Sequence, residues 1–137
     1  MVDLVWHNFL EIGVDFIDED HRALLETMQQ AKNAVEAKNY DECEKLLDVL
    51  IQDAARHFEN EEQYLKETKY PGLETHIAYH KELIIKAEAT RKICENIDSD
   101  NRLKECFDSL ANFLIDDILR GDIGFKSYLE YEGYIKS

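Results

Sequence analysis

One proline, Pro71, and five glycines in 137 residues leave few places where a helix is forced to stop. No apolar run approaches the roughly 20 residues that a membrane-spanning helix needs, and the start, Met1-Val2-Asp3-Leu4-Val5-Trp6-His7, has neither the basic residues nor the apolar stretch of a secretion signal. Positive charge is scarce. Sixteen Lys and Arg stand against 30 Asp and Glu, for a net charge of -14. Such a chain repels phosphate backbones and anionic lipid, which argues against nucleic acid and membranes as partners. The three cysteines, Cys43, Cys94 and Cys106, form no CxxC pair. They read as free thiols in or near the core, which points to a reducing cytoplasm.

What the chain has is periodicity. Apolar residues make up 45% of it, enough for one core in one domain over residues 1–137. Their regular recurrence argues against disorder although 34% of residues are charged. A first helix is expected from about Asp18, as cap, to Lys38, with Leu24, Leu25, Met28, Ala31 and Val35 inward. A second runs from about Asp41 to Lys66, with Leu47, Leu50, Ala54, Phe58 and Leu65 inward. The break Thr68-Lys69-Tyr70-Pro71-Gly72 precedes a third, from near Pro71 to about Asn96. Its stripe is Leu73, Ile77, Leu83, Ile84, Ala87 and Cys94. A polar turn, Ile97 to Asn101, leads to a fourth from about Arg102 to Arg120, with Leu103, Phe107, Leu110, Leu114 and Ile118 inward. The expected fold is all-α: an antiparallel up-and-down four-helix bundle, monomeric or weakly self-associating. An N-terminal arm to about residue 17 and a short C-terminal tail helix, Tyr128 to Tyr134, complete it.

Several ionisable residues interrupt these stripes. His21 lies one turn before Leu24. His57 and Glu61 continue the second stripe, His76 and His80 fall within the third, and Asp117 extends the fourth. Burying unpaired charge costs several kcal/mol per group, so something must offset it. Imidazole and carboxylate are ligands for divalent transition metals. His57/Glu61 and His76/His80 are each four apart, which stacks each pair on one helical face. On antiparallel neighbours the pairs converge, and His21 and Asp117 meet them from the other two helices. With Asp122 the set offers seven side chains. That is more than one zinc uses, and it lacks the thiolates of a structural zinc site. Two octahedral ions sharing carboxylates use it better, and iron is the usual redox metal for such ligands. His7 stands outside the set as an arm residue, and Glu59 and Glu62 face away from the stripe.

The order and spacing resemble the hemerythrin family, in particular its single-domain bacterial members, over nearly the whole chain. The early histidine is in Gly13-Val14-Asp15-Phe16-Ile17-Asp18-Glu19-Asp20-His21. HxxxE is His57-Phe58-Glu59-Asn60-Glu61, and HxxxH is His76-Ile77-Ala78-Tyr79-His80. The resemblance implies a non-haem di-iron centre that binds dioxygen end-on at one iron. Glu61 and Asp122 would bridge the ions together with an oxo or hydroxo group. His21 and His57 would serve one iron, and His76 and His80 the other. The family's final HxxxxD reads here as Asp117-Ile118-Leu119-Arg120-Gly121-Asp122, with Asp117 in the place of a histidine. Asp117 either ligates directly, ligates through water, leaves a position open, or merely frays the helix end. As a ligand it would add negative charge and favour ferric iron.

Three functions follow as alternatives. The first is an oxygen store, carrier or sensor, with sensing left to a separate partner. The second is a di-iron enzyme reducing oxygen or peroxide, although the Glu-x-x-His pairs of ferritin-like oxidases do not occur. The third is a metal-binding or interaction module with no redox role. Oxygen binding without catalysis is the preferred expectation.

Overall fold

The computed structural model describes residues 11–93, 95, 100–116 and 121–136. These form α1 (Asp15–Glu36), α2 (Tyr40–Glu67), α3 (Leu73–Ile93), α4 (Asp100–Asp116) and a short α5 (Ile123–Tyr131). There is no strand among the described residues. Each long helix packs against its neighbour in the chain, and α4 closes the ring on α1. This is the expected antiparallel up-and-down bundle, with α5 as the tail helix, which starts before and ends before the expected Tyr128 to Tyr134.

The helix ends follow local chemistry. Helix α1 begins three residues earlier than expected. Asp18 is therefore not its cap but a buried residue one turn inside. Its carboxylate reaches back to accept from the amides of Ile12 (2.8 Å) and Gly13 (3.1 Å), which fastens the arm to the helix. Both α1 and α2 end on a lysine in the left-handed region, Lys38 (φ 59°) and Lys69 (φ 58°). There the Asn39 amide closes on Ala34 O (2.8 Å) and the Tyr70 amide on Leu65 O (2.9 Å), capping carbonyls that the helices leave open. Pro71 lies in the turn before α3 rather than in its first helical turn. Asn39 caps α2 by accepting from the Glu42 amide.

Two apolar clusters fill the bundle, one towards each end. The larger takes Leu24, Leu25, Met28, Ala31 and Val35 from α1, Cys43, Leu47 and Leu50 from α2, Ala87 from α3, and Cys106, Phe107 and Ala111 from α4. The smaller joins Ile12, Val14 and Ile17 to Leu65, Phe125 and Leu129. Along α1 the order is small cluster, His21, large cluster; along α2 it is reversed. The polar residues thus form a layer between two apolar ones. On α3 the buried positions His76, His80, Leu83 and Ala87 form one continuous stripe, so the histidines occupy core positions.

The free-thiol reading holds for Cys43, whose burial pushes its pKa up to about 11. It fails for Cys106, which is buried and disulfide-bonded. Burial alone does not decide a thiol's redox state, so the cysteines no longer carry the case for a reducing compartment. The expectations for His7, Cys94, Asp117 and Ile118, and for the side chains of Leu103, Leu110 and Leu114, lie outside the described residues.

Candidate metal centre

Six of the predicted ligands meet in the polar layer: His21 from α1, His57 and Glu61 from α2, His76 and His80 from α3, and Asp122 from the turn that enters α5. All are buried, with exposures between 0% and 6%. The i,i+4 spacing on α2 and α3 does what helical geometry requires, placing each pair on one face at the same level. Asp122 arrives differently. It sits with Gly121 in a π-helical turn ahead of α5, a wide backbone turn found often at functional sites.

The two carboxylates lie between the histidines, and each shows one oxygen to each half of the layer. Glu61 Oε2 is 3.1 Å from His57 Nε2. Its Oε1 is 2.7 Å from His76 Nε2 and 3.2 Å from His80 Nε2. Asp122 Oδ2 is 2.8 Å from His21 Nε2, and its Oδ1 is 3.4 Å from His76 Nε2. His21 Nε2 and His57 Nε2 stand 3.1 Å apart. The donors therefore fall into two overlapping groups, His21/His57/Glu61/Asp122 and Glu61/His76/His80/Asp122. Within each, one ligand atom per residue lies within 4.8 Å of all the others.

Their electrostatics suit cations better than protons. Burial, reinforced by the neighbouring His57, holds His21 down to a pKa of about 3, so its imidazole is neutral at physiological pH. Burial alone would raise the Glu61 carboxyl. Hydrogen bonds with His57, His76, His80 and Asp122 outweigh it and keep Glu61 ionised, well below the usual carboxylate range. Even so, Glu61 Oε2 is buried without a hydrogen bond of good geometry, and so is His21 Nδ1. Neutral imidazole and ionised carboxylate are the protonation states that metal binding requires. A nitrogen and oxygen donor set without thiolate suits iron.

Two further residues belong to this site and were read from the sequence as outward-facing or not at all. Asp20 Oδ2 lies 2.9 Å from His57 Nδ1, and Glu62 Oε1 lies 3.3 Å from His80 Nδ1. With a metal in place each carboxylate accepts from an Nδ1, and the inward Nε2 then offers its lone pair to the metal rather than a proton to Glu61. Glu62 is thus not the solvated residue expected, whereas Glu59 is exposed as expected. Periodicity hides both residues because each lies beside a ligand in its own helix and reaches a histidine of the next. The available signal was adjacency: Asp20 beside His21, and Glu62 beside Glu61. Phe58 closes the outer face of His80, stacked at 3.9 Å between ring centroids.

Comparison with known proteins agrees with this geometry. The hemerythrin HHE cation binding domain matches residues 12–121. The bacteriohemerythrin of Clostridium acetobutylicum is 30% identical over 122 residues, covering 86% of this chain and 95% of that protein. A bacteriohemerythrin of Pseudomonas aeruginosa is 24% identical over 126 residues, covering 91% of this chain and 80% of its own length. The myohemerythrin of Riftia pachyptila is 27% identical over 85 residues, covering 62% and 66%. With its buried layer of histidines and carboxylates set between two apolar clusters, the chain belongs to the hemerythrin family.

Proposed function

We propose that residues 1–137 form one domain that binds two iron ions and, through them, dioxygen, as a store, carrier or sensor in the cytoplasm. The observation that carries the reading is the division of Glu61 and Asp122, each with one oxygen towards each half of the layer. Carboxylates so placed would be shared between two ions; His21 and His57 would hold one and His76 and His80 the other, with Asp117 the further candidate that the sequence supplies. Bound there, the ions would supply the electrons for reversible oxygen binding.

The remaining work falls to the protein. Asp20 and Glu62 hold two imidazoles with Nε2 inward. The flanking clusters keep water from the polar layer, which strengthens every charge interaction inside it. The alternative reading, a di-iron enzyme that reduces oxygen or peroxide, rests on Asp117, which makes the sequence richer in carboxylate than the family pattern.

The test is elemental analysis and visible absorption of protein purified without added metal. About two irons per chain are expected from a donor set of this size, with an oxygen-dependent band that disappears under vacuum. A stable single zinc, or no uptake of iron on reconstitution, would refute the proposal. Consumption of oxygen without a reversible band would select the enzyme.

A further inference from the structure

Recesses reach three of the clustered histidines from outside, and they differ in size and lining. The one beside His57 holds only about 50 Å³ and is bounded by Asp20, Asp53 and Arg56. The one beside His80 holds about 370 Å³, but it carries Glu59, Glu62 and Lys81. Its route inward is covered by the Phe58 ring lying flat on His80. The third, of about 390 Å³, opens between the start of α3 and the Gly121–Gly124 turn. Tyr70, Thr75, His76, Tyr79, Gly121 and Gly124 line it. Its inner end is the His76 ring, whose Nε2 lies 2.7 Å from Glu61 and 3.4 Å from Asp122. One imidazole therefore separates this cleft from the polar layer, and the two segments forming its walls are those that deliver His76 and Asp122.

Two features mark the cleft as more than a surface irregularity. Among the described residues its lining carries no Asp, Glu, Lys or Arg, in a chain of net charge -14. An uncharged molecule meets no repulsion there, while an anion must approach against the field of the whole protein. The second feature is Gly124. Its backbone is helical, and a Cβ built on it would meet nothing within 4 Å. Neither conformation nor packing requires glycine at this exposed position. What its missing side chain leaves is an open wall.

We propose that this cleft is the access route and binding site for small uncharged ligands of the centre, and that Gly124 keeps it open. Its volume lies at the lower end of the range for small-molecule sites. The ligand class is uncharged molecules of up to several heavy atoms bearing oxygen or nitrogen, for which Tyr70, Thr75 and Tyr79 bring hydroxyl-bearing side chains to the lining. What the ligand meets inside rests on the di-iron reading; the cleft itself does not.

The experiment therefore has two arms. In the iron-loaded protein, nitric oxide serves as the neutral probe and its association is followed by visible absorption. Gly124→Leu is expected to slow it about tenfold with iron content and melting temperature unchanged, within the range over which access alters association rates. Ala55→Leu, which fills the cleft beside His80 instead, is expected to leave the rate unaltered. An unchanged rate in Gly124→Leu, or equal slowing in both variants, would overturn the proposal. The second arm uses metal-free protein and diethyl pyrocarbonate, an uncharged reagent that modifies imidazole, with each histidine followed by mass spectrometry. His76 should react ahead of His21 and His57, and Gly124→Leu should protect it. Uniform reaction of the three, or no protection, would overturn the access route even if the chain bound no iron at all.

Discussion

The layer that contains Phe107 and the layer that contains Glu61 are both core, and different physics holds each. Around Phe107 lies an apolar cluster, from Leu24 and Met28 to Leu47 and Ala111. That region is stable because it is out of water, and any well-fitting apolar side chain would serve. Around Glu61, α1, α2 and α3 bury four imidazoles, and the turn before α5 adds a second carboxylate. Nothing there gains from leaving water unless a cation completes it. One half of the bundle is thus self-sufficient, and the other half is built for a guest.

Substitutions in the two layers should separate these roles, and the largest effect is expected at Glu61. Glu61→Ala removes a carboxylate that faces both halves of the layer and should abolish iron binding at both positions. Phe107→Ala should cost about 3–5 kcal/mol of stability while leaving iron stoichiometry as it was. Elemental analysis beside urea unfolding reads both. Full iron content in Glu61→Ala would remove the distinction between the layers.

Acid should weaken the polar layer selectively. The folded His21 titrates at about 3 against an ordinary 6.5. Between those values the unfolded chain takes up a proton that the folded chain refuses. The stability of the metal-free protein should therefore be whole above pH 6.5 and fall as pH drops towards 3, by an amount on the order of a few kcal/mol. Glu61, held well below its ordinary 4.5, acts in the same direction: its contribution is present above that value and lost in stronger acid. The urea midpoint of metal-free protein followed between pH 7.5 and 4 checks this. His21→Gln should flatten the dependence, and identical slopes in parent and variant would contradict it.

The outer carboxylates should matter less. Asp20→Asn is expected to weaken iron retention about 10- to 100-fold, the usual effect of removing such a partner. Competition with a chelator measures it. Glu62→Gln should do less, since its contact with His80 is longer, 3.3 Å against 2.9 Å. The smallest change in composition, and the subtlest expected effect, is at Asp117. On the reading that Asp117 takes the place of the family's last histidine, Asp117→His removes a negative charge from the ligand set, so ferrous iron should be better tolerated and an oxygenated form should decay more slowly. Equal autoxidation rates, followed by visible absorption, would make Asp117 a spectator.

The buried cluster of histidines and carboxylates was legible because a helix repeats. His57 with Glu61 and His76 with His80 each stand one turn apart on faces that are otherwise apolar, and an ionisable pair there has few explanations. Helix ends were harder. Asp18 has the chemistry of a cap, but its carboxylate serves the arm through Ile12 and Gly13 from inside the helix. Cys106 could not be assigned, because spacing is silent on which thiols meet in space. Asp20 and Glu62 escaped for a deeper reason. Periodicity reports which face of its own helix a residue occupies, whereas their function is defined by the neighbouring helix.

Asp122 reaches the layer from beyond the fourth helix, yet its carboxylate rests 2.8 Å from His21 on the first. A cation held by both would tie together positions about a hundred residues apart, closing a loop nearly as long as the chain. Because the two side chains meet only in the folded chain, such a tie stabilises the folded state through the free energy of binding. Release of metal would remove that tie and leave α5 held by the smaller apolar cluster, through Phe125 and Leu129.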